Sequence, residues 1–381
     1  MPPVVIVGSG LAGYTLAKEF RKLAPEPPLH IITRDDGAFY SKPMLSNALA
    51  KGKTAQTLAT ADAERMAGQL RAAIWTDTEV TALDFAAQTV TARGEALRYG
   101  KLVLAVGARP IRPPLTGDGA EEVYSVNNLA DYARFRGRLE HARRIAVIGP
   151  GLIGCEFAND LIVAGKEVTV IGPAAQPLDR LLPPEAGRVL RQALAAAGVN
   201  WRLGVSVQAV SRHDSELVLH LADGTSVGAD AVLSAVGLSP DIDLAQKSGI
   251  ATRRGIVVDR YLETSAPDVY ALGDCAEVEG LVLPFVMPIM QAARALARTL
   301  AGIRTAVSYP AMPVVVKTPA HPVVVSPPKA GNEGRWEVVV TDHGARAIHR
   351  DAQGRMVGFA LTGPATAEKQ TLSRELPPWL E

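Results

Sequence analysis

Cysteine is almost absent: the 381 residues contain two, Cys155 and Cys275. That excludes a disulfide framework and fits a reducing cytoplasm. The two lie in separate segments, so no C-x-x-C or C-x-x-x-x-C pair exists to pass electrons through sulfur. Each is read as a small packing residue. Net charge is also nearly absent, at +1, so no whole-molecule field draws the chain to nucleic acid or to a membrane surface. A charged partner must be met by a local patch. No uninterrupted apolar run reaches membrane-spanning length. The opening "MPPVVIVGSGLAGYTLA" is apolar but lacks a basic flank, and glycines interrupt it. It reads as a strand and a loop, not a secretory leader. Apolar residues make up 48% and charged residues 21%, as in a globular protein, and the length suffices for two or three domains.

What is present is a repeat. "VVIVGSGLAGYTLAKEF" (4–20) and "IAVIGPGLIGCEFANDL" (145–161) are close copies. Each is a β-branched run, then G-x-G-x-x-G, then a helical pattern. A second strand follows each, in "LHIITRDD" and "EVTVIGP". This is the opening βαβ of a nucleotide-binding unit, twice. Between the copies, residues 79–114 predict a β-meander turning at Arg93-Gly94 and leading into a buried strand, "LVLAVG". The second unit carries a hairpin turn at Asp223-Gly224. "MPIMQAARALARTLAG" (287–302) predicts a helix with Pro288 in its first turn and Gly302 past its end. From about residue 309 the chain turns to Pro-punctuated valine runs and short alternating segments. The expected fold is α/β. It has two Rossmann-like nucleotide-binding domains of three-layer ββα type and a small C-terminal α+β domain. The expected boundaries are 1–113 with 240–308, 114–239, and 309–381. The closing "ELPPWLE" is either docked by Trp379 or loose.

The chemistry begins with Gly8-Ser9-Gly10-Leu11-Ala12-Gly13. The first glycine permits the tight turn, the second lets backbone approach a pyrophosphate, and the third lets helix pack on strand. The unpaired N–H groups of the helix then face the phosphates. Gly149-Pro150-Gly151-Leu152-Ile153-Gly154 repeats the device. Two sites need two dinucleotides, and a flavin with a nicotinamide supplies both an acceptor and a donor of hydride. Asp274, directly after a strand and Gly273, is placed to accept from a ribityl hydroxyl. Lys42, in "SKP", sits on a loop that the following proline stiffens. Lys317 lies inside an apolar run and needs a partner if buried.

"GSGLAG", "LVLAVGARP", "GPGLIGCE", "LSAVGLSP" and "YALGDCAE" stand in the order seen in FAD-dependent pyridine-nucleotide reductases of the glutathione-reductase type. The chain resembles that family over its full length, and "YSKPMLS" with the proline-rich tail resembles its branch that reduces small iron proteins. The resemblance implies that the first loop binds FAD, with Thr33 and Arg34 near the adenosine ribose and Val80 at the adenine. It adds Ala105, Arg109 and Gly237 as nucleotide contacts. It places Lys42 near flavin N5, paired with Glu156, and assigns Lys317 to the flavin. The helix beginning near Val286 points its positive end at the flavin N1/C2=O edge, where charge develops on reduction. The implied activity is transfer of hydride from NADH to FAD and of single electrons to the iron of rubredoxin. Partners of this kind are acidic, which makes Arg109, Arg294 and Arg298 candidate docking cations. Neither an acid for a 2′-hydroxyl nor an arginine for a 2′-phosphate stands at Gly172-Pro173, and the missing phosphate clamp favours NADH. One rival is the same catalyst serving a ferredoxin or the rubredoxin-like domain of a nitric-oxide-reducing flavoprotein. Another is an NADH-sensing flavoprotein switch without fast turnover.

Overall fold

The computed structural model describes residues 2–329 and 331–381. In chain order the first unit contributes β1 (Val4–Val7), α1 (Leu11–Leu23), β2 (Leu29–Ile32), β3 (Ala73–Trp75) and β4 (Lys101–Leu104). The second contributes β5 (Arg144–Ile148), α2 (Leu152–Val163), β6 (Glu167–Gly172), α3 (Pro184–Ala196), β7 (Val199–Leu203) and β8 (Ala231–Ser234). The chain then returns to the first unit with β9 (Val269–Ala271) and α4 (Val286–Leu300). Five strands follow: β10 (Val314–Val316), β11 (Val323–Ser326), β12 (Gly334–Thr341), β13 (Gly344–Asp351) and β14 (Met356–Thr362).

The first sheet runs β9-β4-β1-β2-β3 and the second β7-β6-β5-β8, with every pairing parallel. Their strands are apolar on both faces because helices or other layers cover both; Val5, Ile6, Leu102, Val103, Val147 and Val170 are fully buried. In each sheet the first strand has its successors on opposite sides, β2 and β4 around β1, β6 and β8 around β5. The strand order therefore reverses beside each glycine loop, which opens a crevice at the carboxyl ends of the strands.

The meander forms from Val80–Asp84, Thr89–Ala92 and Glu95–Arg98. Its turn has positive φ at both Arg93 and Gly94 (54° and 76°), as a two-residue hairpin with the sheet's own twist requires. The run "LVLAVG" departs from expectation: the strand stops at Leu104. The Ala105 N–H still donates to the Val7 carbonyl at 2.8 Å, and the Ala105 carbonyl lies against Gly8, where a Cβ would come within 2.3 Å of it. The chain exits the first unit through Ala108–Pro110 and re-enters through Leu238–Pro240, and these two segments pair antiparallel.

The last five strands form an antiparallel sheet in the order β10-β11-β14-β13-β12. One face, with Val316, Val323, Val325, Ala347 and Ala360, shares a core with Leu190 and Leu194 of α3. The tail is docked: Tyr309 N–H donates to the Leu380 carbonyl at 2.7 Å, and Trp379 packs on the first core. Among the described residues no helix is long and apolar enough to cross a membrane.

Candidate active site

The two glycine loops are built alike. A Cβ at Gly13 would lie 2.0 Å from the Gly8 carbonyl oxygen, and one at Gly154 would lie 1.9 Å from that of Gly149. These are the close helix–strand contacts. A Cβ at Gly10 or Gly151 would meet nothing within 4 Å. That open space, at the N-termini of α1 and α2, is where a pyrophosphate would be received. The loops fit the dinucleotides that the fold implies.

Between the two units and the C-terminal sheet lies a cavity of about 410 Å³, within the ordinary range for a cofactor site. Gly10, Leu11, Ala12 and Ala105 line it from the first unit, and Leu152, Ile153, Glu156 and Gly237 from the second. Lys42, Asp274, Val286 and Lys317 complete the wall. Of the cavity's residues, Asn127 and Ser234 each bury a side-chain oxygen that has no protein partner (Oδ1 and Oγ). Such atoms call for a polar ligand or water. No local pattern in the chain marks either residue. A larger depression, about 1010 Å³, lies between α3 and the C-terminal sheet, away from both glycine loops.

Lys42 begins a short 3₁₀ turn, Lys42–Asn47. Burial pushes its ammonium below the usual lysine range, opposed first by the Asp274 carboxylate. Burial likewise raises the Asp274 carboxyl, with Lys42 opposing. Both residues line the same cavity. The expected pairing of Lys42 with Glu156 is corrected. Glu156 is 1% exposed, and its partner is Lys317, whose Nζ donates to Oε2 and whose backbone N–H donates to Oε1 at 2.9 Å. The Ser46 hydroxyl donates to the same carboxylate. The reason is topological: β10 ends at Val316, which sets Lys317 against α2, whereas the turn that Lys42 begins meets Glu156 through Ser46. Lys317 is thus the residue inside an apolar run that found its charge partner.

Arg109 needs the same treatment. Its guanidinium is held by Asp241 at 2.8 Å and Asp243 at 2.6 Å, so it locks the exit and return segments together and is not turned to the cavity. Arg34 also reaches Asp241, at 3.3 Å. Thr33 is 4% exposed, and its hydroxyl accepts from Ser9 at 2.8 Å. That bond ties the first glycine loop to the end of β2. Val80 is buried at the start of the meander and does not line the cavity. Arg294 and Arg298 are exposed on α4.

Both cysteines are unpaired and fully buried. Burial pushes the Cys155 thiol up, and raises that of Cys275 to about 12. Neither is a thiolate at neutral pH, so neither is a nucleophile. The native protein should resist iodoacetamide at pH 8, while the guanidinium-unfolded chain takes up two labels. The double change Cys155→Ala, Cys275→Ala should keep most electron transfer at a stability cost of about 1–2 kcal/mol. Loss of turnover with FAD retained would put sulfur in the path.

Two parallel nucleotide sheets that open onto one cavity, with a buried lysine–carboxylate pair in its wall, define a two-dinucleotide oxidoreductase. Residues 2–299 match the pyridine nucleotide-disulphide oxidoreductase family, and the chain belongs to that family; its cofactors are FAD and NAD(H). Residues 306–376 match the family described as rubredoxin binding C-terminal domain. The rubredoxin-NAD(+) reductase of Alcanivorax borkumensis is 49% identical over 99% of each chain. That of Acinetobacter baylyi is 46% identical over 98% of this chain and 97% of its own. Among solved structures, the covalent putidaredoxin reductase–putidaredoxin complex matches at 26% identity and TM-score 0.88, over 99% of this chain and 94% of that one.

Proposed function

We propose that this protein is a cytoplasmic NADH:rubredoxin oxidoreductase. The observation that carries this reading is the third unit. The segment that matches a rubredoxin-binding domain is also the one that delivers Lys317 into the cavity between the two nucleotide units. Bound FAD supplies acceptance of hydride from NADH and release of single electrons to an iron centre. The chain's residues do the rest. Residues 1–113 with 240–308 hold FAD, the open space at Gly10 taking its pyrophosphate and Asp274 a ribityl hydroxyl. Residues 114–239 hold NADH, through Gly151 and the N-terminus of α2. Lys42 and Lys317 keep positive charge beside the ring, and the N-terminus of α4 adds its dipole. Glu156 fixes Lys317, and three donors in all engage its carboxylate.

The test is anaerobic turnover with NADH against purified acceptors at equal concentration, followed by loss of acceptor absorbance. Rubredoxin should give the highest kcat/KM. Faster turnover with a ferredoxin, or with the rubredoxin-like domain of a nitric-oxide-reducing flavoprotein, reassigns the acceptor. Flavin bleaching by NADH with no acceptor reduced supports a redox switch instead.

A further inference from the structure

Helix α2 begins at the second glycine loop, yet the polar face behind Glu156 does no work for its own unit. Glu156, Asn159 and Asp160 fall at i, i+3 and i+4, so they share one face. All three are buried, at 1%, 4% and 4% exposure. Each is bonded to a unit other than its own. Asn159 Oδ1 accepts from the Ala320 N–H at 3.1 Å, in the third unit. Asp160 accepts from the first: the Leu49 N–H donates to Oδ2 at 2.8 Å and the Ala50 N–H to Oδ1 at 3.2 Å. No ion pair is made by Asp160 among the described residues. A buried carboxylate with both oxygens on backbone amides is a fixed anchor, because its own desolvated oxygens would be left unpaired if those amides moved away.

What it anchors is the turn that starts at Lys42. The segment 42–50 touches α2 through Ser46 on Glu156 and through Leu49 and Ala50 on Asp160. Lys42 itself has no ion pair among the described residues, so the position of its ammonium is set by the backbone of this turn. We propose that Asp160 is a positioning residue for hydride transfer, which holds the Lys42 turn on the NADH-binding helix and thereby holds Lys42 at the cavity. This rests on the reading that Lys42 faces the flavin.

The experiment is a double-mutant cycle on the holoenzyme. Flavin reduction by NADH is followed by stopped flow, and the flavin potential and the dissociation constant for NAD(+) are measured beside it. Asp160→Asn keeps one acceptor oxygen and places an NH₂ against the other amide. It should slow flavin reduction about tenfold or more, as ångström-scale misplacement does. NAD(+) affinity should be unchanged, and the potential should shift in the direction seen for Lys42→Met. In the Lys42→Met background Asp160→Asn should add no further loss, since the group it positions is gone. Additive losses, or a wild-type rate in Asp160→Asn, overturn the proposal. A wild-type rate and potential in Lys42→Met overturn the underlying reading of Lys42 instead. Should Asp160→Asn fail to fold, amide exchange in the wild-type holoenzyme decides: Leu49 and Ala50 should exchange more slowly than Lys51, and equal rates overturn the anchor.

Discussion

Gly13→Ala is expected to give a chain that is both less stable and colourless, whereas Gly10→Ala should give one that is colourless but as stable as the wild-type apoprotein. The two glycines are three residues apart in one loop and differ in what surrounds them. At Gly13 a methyl group would sit 2.0 Å from the Gly8 carbonyl oxygen and 3.0 Å from its carbon. Helix α1 must then move off β1, an overpacking defect that costs about 1–3 kcal/mol or more. At Gly10 the methyl enters open space, on a backbone (φ −65°, ψ −171°) that alanine adopts freely. Apoprotein stability should stay within about 0.5 kcal/mol, but the space is where the FAD pyrophosphate must come close to the backbone. Flavin content per chain and the melting temperature of the apoprotein check both arms. A yellow Gly10→Ala protein with full flavin would show that the phosphates lie elsewhere. Gly151→Ala should raise the KM for NADH and leave the flavin in place.

Lys317→Met should be the most damaging single change in the cavity wall that leaves both glycine loops intact. It strips from Glu156, which is 1% exposed, the only cation paired with it among the described residues. Breaking a buried pair from one side costs about 3–5 kcal/mol. Here the lower end is expected, because Ser46 and the backbone N–H of residue 317 remain as donors. Glu156→Gln removes the charge, keeps an acceptor for that N–H, and should cost less. The double mutant should be less damaged than the sum of the singles, while Lys42→Met with Glu156→Gln should be additive in unfolding free energy. Denaturant melts of the holoproteins, with stopped-flow flavin reduction beside them, would measure both cycles. Strong coupling between Lys42 and Glu156, with none between Lys317 and Glu156, would restore the pairing that the structure replaces.

That replaced pairing marks the limit of what could be read from the chain. The glycine loops, the hairpin at Arg93-Gly94 and the helix behind Pro288 are legible because each is set within a few residues, by a turn geometry or a missing N–H. Lys42, Lys317, Asp274 and Glu156 stood out because each is a charge in an apolar or glycine-rich setting. Which charge meets which is decided by segments 161 residues apart, for Lys317 and Glu156, and no local pattern encodes that. Asn159 and Asp160 look like ordinary polar positions of a helix until other units are packed on them. Ser46 is read as part of a turn until Glu156 stands beside it. Arg109 is likewise placed by distant residues: Asp241 and Asp243, more than 130 residues on, hold its guanidinium.

The double crossing at Ala108–Pro110 and Leu238–Pro240 bears on the order in which the molecule can form. The interrupted unit lacks one edge of its sheet until β9, residues 269–271, has been made, and until then Leu102 and Val103 of β4 have no neighbour on that side. The inserted unit has all four strands of its parallel sheet by residue 234. As the ribosome delivers the chain from its N-terminus, the unit that starts second is the first able to close its sheet. The unit that starts first must wait for β9, its two halves being joined at the crossing itself by a pair of three-residue strands.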